Sequence, residues 1–190
     1  MALFGQTMRE LAECFSKCEE WVELSRDLRE PIERWEPRVE GSLRWAEGGD
    51  LMMINALEGF VKETDFMEKA LDKGDRCLIF EINERIGGFA WVTFRDFKLA
   101  PWYTLELSPD RAYLEYIYVR PEFTRKHIGC HLLERLMFSL RDDGKVLLIS
   151  GVFSDWEVSF NLHKKMGFKV RRRLKQCRML NIFPLPPADF

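Results

Sequence analysis

Apolar positions along the chain change period several times, and each change marks an element. Met8, Leu11, Phe15, Cys18 and Val22 recur at alternating spacings of three and four, the period of one helix face. Glu30-Pro31 and Glu36-Pro37 then interrupt the pattern, because a residue ahead of proline is pushed out of the helical region, and leave a second short helical piece. Residues 1–41 therefore read as an N-terminal helical extension. Such a stripe can form a homodimer seam, but two or three turns favour packing against its own domain.

From Ser42 the grammar differs. Ser42–Trp45 reads as a short strand, and Gly48-Gly49-Asp50 as a turn and helix cap. Helical patterns over Leu51–Phe60 and Thr64–Leu71 follow, then two strands, Cys77–Ile82 and Gly87–Phe94, joined by a turn. Residues 95–110 carry Pro101 and Pro109 and read as an irregular surface loop, whose Phe97, Trp102 and Tyr103 are candidates to line an acceptor site. Tyr113–Val119 is a β-branched and aromatic run broken only by Glu115, hence a largely buried strand that Pro121 ends. Leu132, Leu133, Leu136, Met137 and Leu140 make a helical stripe within Gly129–Arg141. Another buried strand, Val146–Val152, precedes a short helix over Glu157–Met166 that Gly167 caps. Phe168–Val170 and Cys177–Ile182 can form a closing hairpin, and the Pro-rich tail over 183–190 reads as non-helical and loose.

Composition narrows the class. A formal net charge of −2 provides no global field toward nucleic acid or an anionic membrane. The basic run Arg171, Arg172, Arg173 and Lys175 is local and reads as a solvated strand edge. Five cysteines without a CxxC pair argue against a zinc site and for free thiols in a reducing compartment, and the three histidines give no ligand spacing for a metal. No secretory signal opens the chain and no run reaches the ~20 apolar residues of a membrane span, so the expectation is a cytoplasmic protein.

The order strand, tight loop, helix over 113–141 carries the chemistry. A helix starting near Gly129 leaves its first amide groups unpaired and its positive dipole end exposed, a place for a pyrophosphate. Arg125 and Lys126 add charge there, and Gly129 permits close backbone approach. The run Val119-Arg120-Pro121-Glu122-Phe123-Thr124-Arg125-Lys126-His127-Ile128-Gly129-Cys130, followed by Leu132-Leu133, resembles the coenzyme A loop of the GNAT superfamily of N-acetyltransferases. Downstream, Ser159 and Leu162-His163-Lys164-Lys165-Met166-Gly167-Phe168 resemble the second motif of that family, and the likeness covers residues 42–182. This sequence departs from the family at Thr124 and His127, where the loop usually has Arg or Gln and then Gly, at Trp156, where many members have Asn, and at His163, where many have Tyr.

The resemblance implies an α/β (α+β) fold, a mixed, mostly antiparallel central sheet flanked by helices. It implies direct transfer of an acetyl or other acyl group from coenzyme A, as co-substrate and without a metal, to the amine of a small molecule or peptide. By the same resemblance the backbone amides at Tyr118 and Val119 face the thioester, and the loop residues Thr124, Arg125, Lys126, His127, Ile128, Gly129 and Cys130, with Trp156 and Ser159, hold the cofactor. Glu115, a carboxylate in an apolar strand, is the candidate general base, sharing a strand face with Ile117 and Val119. His163 is the candidate acid for the leaving thiolate. A nucleophilic Cys130, its thiol acidified by the helix terminus, is a lesser route. A longer acyl chain delivered on a carrier protein, or a binding module without turnover, are the alternatives.

Overall fold

The computed structural model describes residues 16–57, 64–100, 103–179, 183–184 and 188–189. One nine-stranded sheet runs through it, with most neighbours antiparallel. Strands β1 (Ser16–Asp27), β2 (Ser42–Trp45), β3 (Arg76–Ile82), β4 (Arg85–Thr93), β7 (Arg111–Val119), β8 (Leu147–Phe153) and β9 (Lys169–Met179) stand in the order β9-β1-β8-β7-β4-β3-β2. Two-residue strands, Phe183–Pro184 and Ala188–Asp189, pair with β9. Helices α1 (Asp50–Asn55) and α2 (Thr64–Asp72) precede β3, while α3 (Ile128–Asp142) and α4 (Glu157–Lys165) flank β8 in sequence.

Alternation divides the side chains of β3 and β4 between two cores. Leu78, Phe80 and Ile82 of β3, with Ala90 and Val92 of β4, meet Ile128, Leu132, Leu136 and Met137 of α3. The intervening Cys77, Ile79, Phe89 and Trp91 face the opposite side, where Leu51, Ile54 and Met67 of α1 and α2 cover them. Both faces of β3 and β4 are thus buried, which is why these strands are almost continuously apolar.

The first segment departs from the expected helix. Residues 16–27 form a strand inserted between β8 and β9, antiparallel to both. Val22 and Leu24 point into the α3 core, a period of two that spacings of three and four concealed. Met8, Leu11 and Phe15 lie outside the described residues. Because β1 belongs to the sheet, the expected boundary after residue 41 does not divide the fold. The second helical piece is also absent. Residues 31–41 run as a strap without regular secondary structure across α3, where Ile32, Trp35 and Val39 pack on the core. Glu134 accepts the Trp35 N–H at 2.8 Å and His131 donates Nδ1–H to the Trp35 carbonyl at 2.6 Å, so two helix side chains grip both backbone polar groups of one residue.

Three further expectations change. The loop at 95–110 contains a hairpin of β5 (Phe97–Ala100) and β6 (Tyr103–Leu105); the side chains of Phe97, Trp102 and Tyr103 lie outside the described residues. The closing hairpin is instead the single strand β9, and the tail expected to be loose pairs with it. The basic run is not a free edge: Arg171 and Arg172 both reach the carboxylate of Glu23, which is 1% exposed, and Arg173 pairs with Glu20.

Candidate active site

Strands β7 and β8 run parallel but pair only from Arg111/Leu147 to Leu114/Ser150. Beyond that point β7 continues to Val119 and β8 to Phe153, and a wedge opens between them. The register of β7 against β4 explains the parting. Trp91 faces Tyr116 and Val92 faces Leu114, so Glu115 is the extra residue of a β-bulge. A bulge bends its strand and sharpens its twist, here where β8 is released. It also resets the alternation: Leu114 and Ile117, three apart, join the same core. The shared face of Glu115, Ile117 and Val119 therefore does not follow from simple alternation, although Glu115 and Ile117 both line the wedge.

Two cavities fill this wedge and share Ile117, Trp156 and Ser159. The inner one, about 310 Å³, is lined by Tyr113, Glu115, Ser150, Gly151, His163 and Trp21 among others. The outer one, about 500 Å³, lies between the end of β7 and the start of α4, bounded by Val119, Thr124, Val158 and Leu162. Arg120 donates its N–H to Gly87 of β4 at 2.9 Å. Backbone groups alternate edges along a strand, so Tyr118 also faces β4, while the amides of Ile117 and Val119 face the wedge. Of the expected pair, the amide of Val119 alone faces the wedge. The Tyr118 ring stacks on Phe89 at 5.6 Å, on the opposite side of the sheet.

The loop beyond Val119 is built tightly. Pro121–Phe123 form one 3-10 turn and Thr124 Oγ1 donates to the Pro121 carbonyl at 2.9 Å. Arg125 and His127 take left-handed backbone conformations, at φ 59° and 62°. His127 caps α3 in the conformation that glycine adopts without a side-chain clash, a physical reason for the family's usual residue at this place. Its ring stands edge-on to Trp35 at 5.2 Å, and its pKa is lowered, first by burial and then by Arg38 and Lys165. Arg38 donates its N–H to the Lys126 carbonyl at 2.8 Å, tying the loop to the strap. The first bond within α3 runs from His131 N–H to the His127 carbonyl, which leaves the amides of Ile128, Gly129 and Cys130 without intrahelical acceptors.

Two loop residues have other surroundings than expected. A Cβ on Gly129 would lie 3.1 Å from Leu162 Cδ2 and 3.7 Å from Val119 Cγ2, so this glycine lets α3 pack against α4 and β7. Cys130 is buried, and burial pushes its thiol pKa up, contrary to an acidified nucleophile. Arg125 and Lys126 are exposed at the rim, and Trp156, at 59% exposed, stands at the start of α4.

His163 is not a surface residue of α4 but is 1% exposed. Its Nδ1 lies 2.8 Å from the Ser159 carbonyl, which can only accept, so Nδ1 carries a proton. Burial lowers the imidazole pKa and favours the neutral ring, leaving Nε2 as an acceptor for Ser150 Oγ–H at 3.0 Å. Ser150 Oγ is also 3.3 Å from the Leu114 carbonyl, at the last paired position of β7 and β8. Tyr113 stays a phenol: burial raises its pKa first, and the carboxylates of Glu115 and Glu23 raise it further.

Sequence reading missed the contribution of β1 and β8. Gly151 lies beneath Trp21; a Cβ there would fall 1.8 Å from Trp21 Cζ2. Trp21 stands edge-on to Phe153 at 5.1 Å and Phe153 to Trp156 at 5.4 Å, so one aromatic row walls the wedge. The signal for Ser150-Gly151 was present as a polar-glycine pair inside an apolar strand; none existed for Trp21, whose strand partner lies far along the chain. Among the described residues no three His, Cys, Asp or Glu side chains form a metal-holding group, and no helix is long and apolar enough to cross a membrane.

The Acetyltransferase (GNAT) family model matches residues 8–168. Over 107 residues the chain is 32% identical to the L-amino acid N-acyltransferase MnaT of Escherichia coli, a match spanning 54% of this chain and 55% of that relative. It is likewise 32% identical over 107 residues to the L-methionine sulfoximine/L-methionine sulfone acetyltransferase of Salmonella typhimurium, spanning 54% and 56%. The match thus spans about half the length of these curated relatives. Among solved structures, the GCN5-related N-acetyltransferase from Sphaerobacter thermophilus superposes with a TM-score of 0.66 at 13% identity, over 98% of this chain and 58% of that one, a likeness of fold. The parted parallel strands, the loop that ends at a helix N-terminus and the family match over most of the chain place this protein in the acetyltransferase (GNAT) family.

Proposed function

We propose that the protein transfers an acyl group, acetyl in the simplest case, from coenzyme A directly to an amine. The observation that carries this reading is the wedge at Leu114/Ser150, which opens from the unpaired amides of α3 toward a carboxylate and a buried imidazole. The pyrophosphate would sit on the amides of Ile128, Gly129 and Cys130, with Thr124, Arg125, Lys126 and His127 around it. The pantetheine arm would follow the outer cavity past Val119, Ser159 and Trp156, in the manner of an added strand beside β7. A single long acyl chain would need more apolar room than the inner cavity of about 310 Å³ offers, so a short acyl group fits this reading better.

In this reading Glu115 accepts the proton of the attacking amine, and the Ile117 and Val119 amides face the charge that grows on the thioester oxygen. His163 works through Ser150. As a neutral ring with Nε2 unprotonated it cannot donate; it orients the Ser150 hydroxyl at the wall of the wedge, and the departing thiolate takes up the proton that Glu115 received from the amine.

Binding and turnover test the reading separately. Coenzyme A at 100 times its dissociation constant should raise the unfolding free energy by roughly 2.7 kcal/mol. Thiol release from acetyl-CoA should then depend on an added amine. A melting curve unmoved by millimolar coenzyme A, with no heat on titration, overturns the reading; binding without amine-dependent thiol release supports instead a binding module of the same fold.

A further inference from the structure

Two residues of the loop ahead of α3 hold a backbone conformation that opposes their own side chains. Arg125 and His127 take positive φ, at 59° and 62°, where a Cβ crowds the following carbonyl and glycine alone moves freely. His127 matters more. It caps α3, and its φ of 62° and ψ of 10° set the direction in which the amides of Ile128, Gly129 and Cys130 leave the loop. Strain of this kind persists only where the surroundings over-determine it.

The strap over 31–41 supplies those surroundings. Trp35 stands edge-on to the His127 ring, at 5.2 Å and 85°. The Arg38 N–H donates to the Lys126 carbonyl at 2.8 Å, so the strap also holds the peptide group that joins Lys126 to His127. Trp35 is itself fixed from two further directions. On α3, Glu134 and His131 take its N–H and its carbonyl, and Glu134 is buried. From α4, Lys165 Nζ lies over its ring, 3.9 Å from the centroid, in a cation–π contact. One half-buried indole thus touches the loop, the helix that the loop opens and the helix of the second motif.

Glycine at position 127 would keep the same backbone without help. Histidine needs help, and its ring provides the surface on which Trp35 gives it. The histidine in the loop and the tryptophan on the strap are therefore two halves of one device. Resting on the reading of this loop as the coenzyme A site, we propose that Trp35 is a positioning residue for the acyl donor: it holds His127 in the left-handed cap, and so directs the first amides of α3 at the pyrophosphate, without touching the ligand itself.

The test is a double-mutant cycle on coenzyme A binding, read by calorimetry on the full chain. Trp35→Leu keeps an apolar side chain on the core and removes the ring edge. It should raise the Kd of coenzyme A by about tenfold, the order of the left-handed penalty it leaves uncompensated. Trp35→Phe keeps a ring and should stay within about threefold of the parent. In a His127→Gly background, the same Trp35→Leu change should move Kd by less than about twofold, because glycine keeps the cap by itself. A tenfold loss in both backgrounds, or no loss in the parent background, overturns the proposal. Should Trp35→Leu not fold, Arg38→Pro takes its place. It deletes the amide held by Lys126 and should weaken binding more than Arg38→Ala, which keeps that amide; equal values overturn the proposal. Hydrogen exchange separates the device from the reading it rests on. If the parent binds no coenzyme A, that reading fails. The amides of residues 124–131 should still exchange about tenfold faster in Trp35→Leu and near the parent rate in Trp35→Phe, which supports the hold of Trp35 on the cap. Unchanged exchange in Trp35→Leu overturns it.

Discussion

The two edges of β8 differ in kind. On one side β1 pairs with it from Asp27/Leu147 to Trp21/Phe153, and the seam stays closed to the end. On the other, β7 pairs only as far as Leu114/Ser150 and then leaves. The closed edge is antiparallel and carries Trp21 over Gly151; the open edge is parallel, and the strand that leaves it carries the bulge at Glu115. A strand held firmly along one edge can have polar backbone released on the other without losing its position. The wedge is thus a property of three strands, not of the two that part.

The strongest way to break this comparison is to remove the closed edge. Deleting residues 1–28 takes out Val22, Leu24 and Leu28, all buried, and leaves Arg171 and Arg172 without Glu23. Burial of each such side chain contributes roughly 1.5–3 kcal/mol against a typical total of about 5–15 kcal/mol. Thermal melting followed by circular dichroism should show no cooperative transition; a native-like melt would mean that β1 is not the scaffold of the site. On the open edge, Glu115→Gln keeps the shape of the bulge and removes a proton acceptor. Turnover should fall by about 10²-fold at neutral pH, with coenzyme A affinity little changed and the deficit shrinking at high pH, where the amine arrives unprotonated. Equal turnover from pH 6 to 9 would make Glu115 structural.

Smaller effects sharpen the contrast. Gly151→Ala drives a methyl group into the Trp21 ring and should cost roughly 1–3 kcal/mol by overpacking, read as a lower Tm with a changed tryptophan emission. An unchanged Tm would show that the closed edge yields easily. His163 adds a pH dependence of known sign. Its folded pKa lies below the ordinary imidazole value of 6.5, so below that pH the unfolded chain binds a proton that the folded ring refuses. Stability is full above about pH 6.5 and falls as pH drops through the folded value; His163→Gln should flatten that part of the curve in denaturant titrations. Last, His127→Gly relieves a left-handed cap worth about 1 kcal/mol but adds unfolded-state entropy and loses the Trp35 contact, for a net change within about 1 kcal/mol. Loss of coenzyme A binding in that folded variant would make the imidazole a ligand.

These contrasts also separate what the sequence could reveal from what it could not. The strand over 113–119 and the stripe of α3 were legible because local period and burial agree there. The first strand was not, because Glu23 and Arg26 are buried and ion-paired, so the apolar signal of Val22 and Leu24 was diluted by charge. Cys18 and Val22 fit a helical period as well as a strand, and only pairing with β8 and β9 chooses between them. Glu115 and His163 could be singled out by residue type, but their geometry could not be read from the sequence. The bulge at Glu115 is set by the register with β4, and the tautomer of His163 by Ser159 and Ser150.

The insertion of the first strand between β8 and β9 has a kinetic side. Trp21 cannot find Phe153, nor Ser25 Lys169, until nearly the whole described chain has been made. Contacts so distant in sequence raise contact order and slow folding, because loop closure must precede the reward of pairing. During synthesis β1 emerges as an unpaired strand with Val22 and Leu24 uncovered, while β2, β3 and β4 can already assemble with α1 and α2. The half of the sheet that bears the closed edge should therefore form last. Until then its hydrogen-bonding edges lie open to other chains, so crowded synthesis is where this molecule is most exposed to aggregation.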